Sequence, residues 1–239
     1  MCEDCGCQIH NGEPKRVTIN RSVTEVNDIL ADQIARSLQQ KQILCVNIMG
    51  APGSGKTTVI EGVLNFLEVS SVAVIQGDLE SDIDKKRLEK RKIETVQINT
   101  HSGCHLNSSM VHTALLDLDL KNKRFLFIEN VGNLVCPAGV RIGQHINMVV
   151  SSTPEGSDKP KKYPYIFLDA HVVVISKYDL AEIVGFDEEQ YIDDIKKINR
   201  KICFVKTSWK NTESFREVVQ FLEHERDHLL GHHHGHTDI

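Results

Sequence analysis

Short apolar runs alternate with amphipathic stretches along most of the chain. Seven runs rich in β-branched residues have the length of strands, and the stretches between them carry apolar residues at helical spacing. The predicted strands cover residues 43–49, 72–76, 95–98, 124–129, 146–151, 171–176 and 202–206. Strands that alternate with helices favour right-handed βαβ crossovers and a mostly parallel sheet with helices on both faces. The pattern therefore predicts an α/β fold.

The two ends of this pattern bound the folded part of the chain. Ser22 can cap a first helix, and a last helix is predicted near 212–229. The apolar positions of the first helix are Val26, Ile29, Leu30, Ile34 and Leu38. The start of the chain is polar and rich in cysteine, and its end is a His-Gly segment without core-forming side chains. We expect a flexible arm over 1–20, one domain over 21–230 and a tail over 231–239.

Composition supports a single cytoplasmic domain. A chain of 239 residues with 40% hydrophobic content is long enough for one α/β core. A net charge of −5 argues against a nucleic-acid partner, and no apolar run approaches the roughly 18 residues of a membrane span. The acidic start lacks the apolar segment of a signal peptide. The seven cysteines, an odd number, favour a reducing cytoplasm and metal or redox chemistry over a disulfide frame.

The sequence Gly-Ala-Pro-Gly-Ser-Gly-Lys-Thr at 50–57 stands between the first predicted strand and a helix-like stretch at 58–67. A strand, a G-x4-G-K-T loop and a helix are typical of a phosphate-binding loop, whose backbone N–H groups enclose the phosphates of a nucleotide. Lys56 is expected to reach the β- and γ-phosphates, and Thr57 to offer its hydroxyl to Mg²⁺. The predicted nucleotide contacts here are Gly50, Gly53, Ser54, Gly55, Lys56, Thr57 and Thr58. This segment predicts binding of a nucleoside triphosphate.

Hydrolysis would require a further acidic group near Mg²⁺ and a contact for the γ-phosphate. The predicted strand at 124–129 ends in Glu129, and Gly132 follows at the D-x-x-G spacing of GTPases, with Glu in place of Asp. Asp78 follows the strand at 72–76, where ligands of such sheets collect, and begins a candidate switch segment that runs to Arg87. The expected catalytic residues are Lys56, Thr57, Asp78, Glu129 and Gly132.

Ser-Lys-Tyr-Asp at 176–179 follows another predicted strand and is similar to the N-K-x-D element of GTPases. Asp179 can accept hydrogen bonds from guanine N1–H and N2–H, which adenine does not supply, and a buried carboxylate without these partners is costly. Ser176 in place of Asn weakens the bracing of this element, whereas the stem of Lys177 can lie across the base. The predicted base-side contacts are Lys177, Asp179, Thr207 and Ser208, the last two standing where GTPases have the loop whose amide reads guanine O6.

Three cysteines at the start of the chain are candidate metal ligands. Cys2, Cys5 and Cys7 form a C-x2-C-x-C group, with the α-amine as a possible fourth donor. Amine and thiolates in a square arrangement suit Ni²⁺, and a tetrahedral arrangement suits Zn²⁺. Because three free thiols on an exposed arm have no packing role, we expect a metal site here.

Other cysteines and histidines divide into three groups. Cys104 and His105 follow a predicted strand and Cys136 lies four residues beyond Gly132, so a shared metal site is possible, although spacing alone leaves this open. Cys45 and Cys203 lie inside predicted strands and are interpreted as inert packing. The tail offers imidazoles that suit Ni²⁺, a solvated tail being the alternative. These tail histidines are His232, His233, His234 and His236.

Four segments of the chain together are distinctive: E-N-V-G-N-L-V-C-P at 129–137, G-C-H at 103–105, E-G-S-D-K-P-K-K-Y-P at 155–164 and the cysteine-rich start. Through these segments the chain closely resembles the HypB family of hydrogenase nickel-incorporation GTPases. The resemblance implies a SIMIBI-class P-loop GTPase that forms a homodimer with nucleotide and metal and passes nickel to a maturation partner and the hydrogenase large subunit, sometimes also to urease. By position, it implies high-affinity nickel at Cys2, Cys5 and Cys7, and nickel or zinc at Cys104, His105 and Cys136 in the dimer interface.

Three alternatives remain at this point: a small-molecule kinase, a non-enzymatic nickel store and a urease-type accessory GTPase. Asp179 argues against the kinase, because an ATP-using enzyme needs no guanine reader. Cys136 argues against passive storage, because storage needs no metal ligand beside a γ-phosphate contact. The loop after Glu129 lacks an obvious catalytic glutamine or arginine, which predicts slow GTP hydrolysis to GDP.

Overall fold

The computed structural model describes residues 16–78, 91–100 and 103–231, with side chains described from residue 24 onward and, in the first range, up to residue 77. All seven predicted strands form, each within two residues of its predicted bounds. They are β1 (Leu44–Met49), β2 (Val72–Asp78), β3 (Glu94–Asn99), β4 (Phe125–Glu129), β5 (Ile146–Ser152), β6 (Val172–Ser176) and β7 (Cys203–Lys206). The described helices are α1 (Arg16–Gln40), α2 (Lys56–Val63), α3 (Ser108–Leu116), α4 (Lys159–Lys162), α5 (Pro164–Leu168), α6 (Glu188–Ile198) and α7 (Arg216–Leu229).

The strands form one parallel sheet in the order β3-β2-β4-β1-β5-β6-β7. This confirms the predicted α/β fold. Strand β1 lies in the middle, with Ile48 opposite both Glu129 of β4 and Met148 of β5. The carboxyl ends of β1, β2 and β4 therefore meet at one edge of the sheet, where loops can bring distant residues together.

Alternate side chains of the strands build the core on opposite faces of the sheet. Leu44, Val46 and Ile48 of β1 pack with α2 and α7 on one face. Cys45 of β1 packs with α1 and α3 on the other face. Helices α5 and α6 cover the β5–β6–β7 half of that second face. The sheet is thus covered on both sides, as the βαβ pattern predicts.

Two predictions for α1 are wrong. The helix begins at Arg16, so Ser22 lies within it and is not its N-cap. Val26 and Ile29 are 64% and 59% exposed, because the stripe that faces the sheet runs instead through Asn27, Ala31, Ile34 and Leu38. Asn27 takes part in that stripe by accepting hydrogen bonds from the amide and hydroxyl of Ser108 at the start of α3.

The interpretation of two cysteines as packing is correct for one of them. Cys45 is fully buried, and burial raises the pKa of its thiol. Cys203 is exposed, since β7 is the edge strand of the sheet.

Among the described residues, none of the helices is both long enough and apolar enough to span a bilayer. The predicted metal ligands Cys2, Cys5, Cys7, His232, His233, His234 and His236 lie outside the described residues.

His145 predicts an acid-sensitive stability. Its Nδ1 accepts a hydrogen bond from the Cys45 amide at 2.9 Å, and its Nε2 donates to the Ala35 carbonyl at 2.9 Å. The ring is therefore neutral and joins the residue before β5 to β1 and α1. Burial lowers the pKa of His145 below its usual 6.5. Because the unfolded chain then binds more protons, the free energy of unfolding should fall as the pH drops below about 6.5, by at most about 1.4 kcal/mol per pH unit. His145→Gln should remove this slope from urea unfolding measured between pH 5 and 8, and equal slopes would contradict the assignment.

Candidate functional site

The loop at 50–57, called the phosphate loop below, turns from β1 into α2 at the centre of the sheet edge. Gly50 passes so close to β5 that a Cβ atom would lie 2.3 Å from the Val150 carbonyl oxygen. Gly55 precedes α2 with a φ of 97°, a conformation that glycine adopts without strain. The first amides of α2 therefore point into the loop, which is the arrangement that binds phosphate oxygens.

Lys56 and Thr57 lie at the start of α2 and are buried. The Lys56 ammonium donates to the carbonyls of Gly50 and Ala51 at 3.4 and 3.2 Å, so it lies inside the loop. The Thr57 hydroxyl donates to Glu129 Oε1 at 2.7 Å. The sequence separates Thr57 and Glu129 by 72 residues, yet their oxygen atoms touch.

Glu129 is held by a residue that sequence reasoning missed. Gln76 of β2 lies opposite Glu129 and donates through Nε2 to its Oε2 at 3.0 Å. A polar residue at the end of an otherwise apolar strand was the available signal. Asp78 ends the same strand, so its backbone lies at this edge, and its side chain lies outside the described residues.

The loop at 130–136, called the sensor loop below, is fixed to the phosphate loop. The Asn133 amide donates to the Gly50 carbonyl at 3.0 Å. Gly132 packs against Pro52 so closely that a Cβ atom would lie 3.0 Å from the proline Cα. The backbone around Gly132 therefore lies beside the glycines that would enclose a phosphate.

The Ser-Lys-Tyr-Asp element is tied to the phosphate loop from the other side. The Ser176 hydroxyl donates to the Ser54 carbonyl at 2.5 Å, and the Lys177 ammonium donates to the Gly53 carbonyl at 2.7 Å. Ser176 therefore braces the phosphate loop through its short hydroxyl, and the weaker bracing relative to Asn stays a prediction. A cleft of about 290 Å³ lies between these elements, with Gly55, Thr58, Lys177, Thr207 and Trp209 among its lining residues.

Asp179 is prepared as an ionised acceptor. The Ser208 hydroxyl donates to its Oδ1 at 2.8 Å, and the Lys210 ammonium lies 3.2 Å from its Oδ2. The hydrogen bond from Ser208 and then the charge and hydrogen bond of Lys210 lower the pKa of this carboxyl. Lys210 is well exposed, so its ion pair can be exchanged for another donor at small cost.

The turn after β7 carries the two residues predicted to contact the base, and Thr207 lines the cleft. The amides of Thr207 and Ser208 donate to the Ile175 carbonyl and the Ser214 hydroxyl. Within the part of the chain that the structure describes, the amide of Trp209 has no acceptor, and the Trp209 side chain lines the cleft. Its place directly after Thr207 and Ser208 was the signal that sequence reasoning passed over.

Cys104, His105 and Cys136 come together in one group, called the thiolate–imidazole cluster below. Cys104 Sγ lies 3.5 Å from His105 Nδ1, and the candidate ligand atoms of all three residues lie within 4.8 Å of one another. The hydrogen bond with Cys136 raises the pKa of the Cys104 thiol. Two sulfur donors and one imidazole suit Ni²⁺ or Zn²⁺. The structure thus joins residues whose shared site the spacing left open.

A parallel sheet with a phosphate loop at its centre, and the Ser-Lys-Tyr-Asp element tied to that loop, define a P-loop nucleotide-binding protein. Residues 44–206 match the nucleotide-binding domain of the CobW/HypB/UreG family. The chain is 37% identical over 228 residues to the hydrogenase/urease maturation factor HypB of Helicobacter hepaticus, and the match covers 94% of both chains. The chain belongs to the HypB family, which confirms the resemblance seen in its sequence.

Solved structures agree with this assignment. HypB from Helicobacter pylori, crystallised in complex with nickel, superposes with a TM-score of 0.81 at 35% identity, over 89% of this chain and 99% of that one. HypB from Archaeoglobus fulgidus superposes with a TM-score of 0.78 at 34% identity, over 84% of this chain and 99% of that one. The chain therefore spans nearly the whole of both relatives.

Proposed function

We propose that this protein is a cytoplasmic GTPase that delivers nickel during maturation of [NiFe]-hydrogenase. The observation that carries the proposal is the sensor loop, which connects Glu129, in contact with Thr57 of the phosphate loop, to Cys136 of the thiolate–imidazole cluster. One short segment thus joins nucleotide and metal ligands. The relatives support the same reading, since they are named as maturation factors and one was crystallised with nickel.

The nucleotide we propose is GTP. Lys56 and the first amides of α2 bind the phosphates, and Asp179 accepts hydrogen bonds from the guanine edge. The amide of Trp209 donates to guanine O6. Among the described residues, the neighbouring amides of Thr207 and Ser208 already have acceptors, whereas the Trp209 amide has none. The Gly132 amide contacts the γ-phosphate and makes the sensor loop responsive to hydrolysis.

Mg²⁺ fits the same edge of the sheet. The Thr57 hydroxyl and the Glu129 carboxylate are hard oxygen donors in contact with each other, and Asp78 ends the neighbouring strand. When bound there, Mg²⁺ would neutralise the charge that develops on the phosphate oxygens. Gln76 keeps the Glu129 carboxylate in place through its other oxygen.

Nickel is the proposed cargo, with zinc as a possible occupant of the same site. The cluster provides three protein ligands, and a fourth position is then open to a second copy of the chain or to an acceptor protein. We propose that the protein forms a nucleotide- and metal-dependent homodimer and passes nickel to a maturation partner and the hydrogenase large subunit. Nickel affinity measured with GDP and with a GTP analogue tests the link. Urease remains a second client, because the named relatives include hydrogenase/urease factors.

The domain organisation of arm, GTPase domain and tail predicts two further classes of metal site. Replacing Cys2, Cys5 and Cys7 with serine should remove the tightest nickel ion and leave GTP turnover unchanged, because thiolates hold nickel far better than hydroxyls. Truncation after Gly231 should lower only the number of weakly bound ions, with the loss greatest above pH about 6.5, where imidazoles are neutral. Equilibrium dialysis with ⁶³Ni measures both. Unchanged affinity in the serine variant, or full stoichiometry in the truncation, would contradict the respective site.

A further inference from the structure

Asn130 lies between the proposed nucleotide and metal ligands. It directly follows Glu129 and is 1% exposed. Its Oδ1 accepts hydrogen bonds from the Leu106 amide at 3.1 Å and from the Val131 amide at 3.0 Å. One side-chain oxygen therefore joins the segment after β3 to the start of the sensor loop.

The orientation of this amide is determined by its neighbours. Asn130 Nδ2 donates to Asn47 Oδ1, and Asn47 Nδ2 donates to Asn147 Oδ1, each at 3.1 Å. Asn147 Nδ2 then donates to the Asp169 carbonyl at 3.2 Å. This row of three side-chain amides ends in two backbone N–H groups on one side and a backbone carbonyl on the other. Only one direction of donation along the row satisfies both ends. The Asn130 oxygen therefore has to face the two amides.

The two halves of the cluster are tied to different points of the sensor loop. Leu106 directly follows His105, so Asn130 fixes Cys104 and His105 to the end of β4. Cys136 lies beyond Gly132, and its amide donates at 3.3 Å to Asn133 Oδ1. The Asn133 amide in turn donates to the Gly50 carbonyl of the phosphate loop. If Asn130 holds Cys104 and His105 in place, a shift of the sensor loop at Gly132 moves Cys136 relative to them. The separation between the two halves of the cluster then changes.

We propose that Asn130 is a positioning residue that anchors Cys104 and His105, so that movement of the sensor loop alters metal ligation at Cys136. This rests on the proposed function, since it needs a metal at the cluster and a nucleotide at the phosphate loop. Residues that orient metal ligands typically change metal affinity by 10- to 100-fold when they are replaced.

The test uses the full-length chain in which the terminal ligands are replaced, so that nickel binds at the cluster alone. Those background substitutions are Cys2, Cys5 and Cys7 to serine and His232, His233, His234 and His236 to alanine. In this background, Asn130→Ala removes the acceptor of both amides, whereas Asn130→Asp keeps that acceptor, loses the donation to Asn47 and adds a buried negative charge. Asn147→Ala is the matched control, because it cuts the same chain of amides at its far end. Nickel affinity with GDP and with a non-hydrolysable GTP analogue is measured together with thermal unfolding.

We expect Asn130→Ala to weaken nickel binding with GDP at least about tenfold and to bring the ratio of the two nickel affinities to one. Asn130→Asp and Asn147→Ala should lower the melting temperature and keep the parent affinity and ratio. Parent affinity and ratio in Asn130→Ala would overturn the inference, as would equal losses in Asn147→Ala. Equal nickel affinities with the two nucleotides in the parent protein would overturn the proposed coupling. The loss of nickel affinity with GDP in Asn130→Ala would then show only whether Asn130 positions Cys104 and His105. A parent that binds no nickel would overturn both.

Discussion

Asp179→Asn should exchange GTP for xanthosine triphosphate as the preferred nucleotide. The Asp179 carboxylate is held ionised by Ser208 and Lys210. We propose that it accepts hydrogen bonds from the N1–H and N2–H groups of guanine. An asparagine amide keeps one acceptor and gains a donor, which matches the carbonyl that xanthine carries at C2. Replacing one charge-assisted hydrogen bond by a donor–donor contact, and leaving the other without its charge, costs about 3–6 kcal/mol, so GTP affinity should fall by on the order of 100-fold or more.

Fluorescence provides the measurement for this exchange. Trp209 is the one tryptophan of the chain and lines the base cleft, so its emission should report nucleotide binding. Lys210→Ala is the matched control, because it keeps the carboxylate and removes an exposed ion pair worth about 1 kcal/mol or less. Unchanged GTP affinity in Asp179→Asn, or equal turnover of GTP and ATP in the parent protein, would contradict the guanine assignment.

Lys56→Ala should abolish most GTP hydrolysis. The Lys56 ammonium lies inside the phosphate loop and is the side-chain cation that the loop offers to the β- and γ-phosphates. Removing one preorganised donor to developing charge typically costs on the order of 10²–10³ in kcat. Turnover is measured as phosphate release at saturating GTP. Lys201→Ala, which removes an exposed lysine far along the chain, should turn over normally. Wild-type turnover in Lys56→Ala would place the chemistry elsewhere.

The strands and the phosphate loop were predictable because their signals are local. The β-branched runs are recognised from residues that are adjacent in the sequence. The phosphate loop is likewise one contiguous motif, which includes Gly50 and Lys56. The contact of Thr57 with Glu129 followed indirectly, since both were predicted to lie near Mg²⁺. The start of α1 was not predictable from its apolar positions, because the stripe that faces the sheet includes a polar residue, Asn27.

The missed residues depend on contacts across long sequence separations. Asn130 bonds Asn47, 83 residues away, and no local pattern separates such a pair from two solvated amides. The Trp209 amide became a candidate only when the acceptors of Thr207 and Ser208 were located. The grouping of Cys104 and His105 with Cys136 likewise needed the fold, which brings the loops after β3 and β4 to one edge of the sheet.

The central claim is that nucleotide and metal binding are coupled through the sensor loop. Coupling is reciprocal, so nickel at the cluster must change GTP affinity by the same factor by which GTP changes nickel affinity. A value of about 1–3 kcal/mol, or roughly 5- to 150-fold, is typical of such linkage.

The most direct measurement is a nickel titration of the cluster with GDP and with a non-hydrolysable GTP analogue, in the full-length chain that lacks its terminal ligands. Sedimentation of the same samples gives the oligomeric state, and a variant with Cys104 and Cys136 replaced by serine shows which binding belongs to the cluster. We predict a difference of at least about fivefold between the two nucleotides, lost in the serine variant, and a larger dimer fraction with the GTP analogue and nickel. Equal nickel affinities and equal oligomeric states would contradict the account.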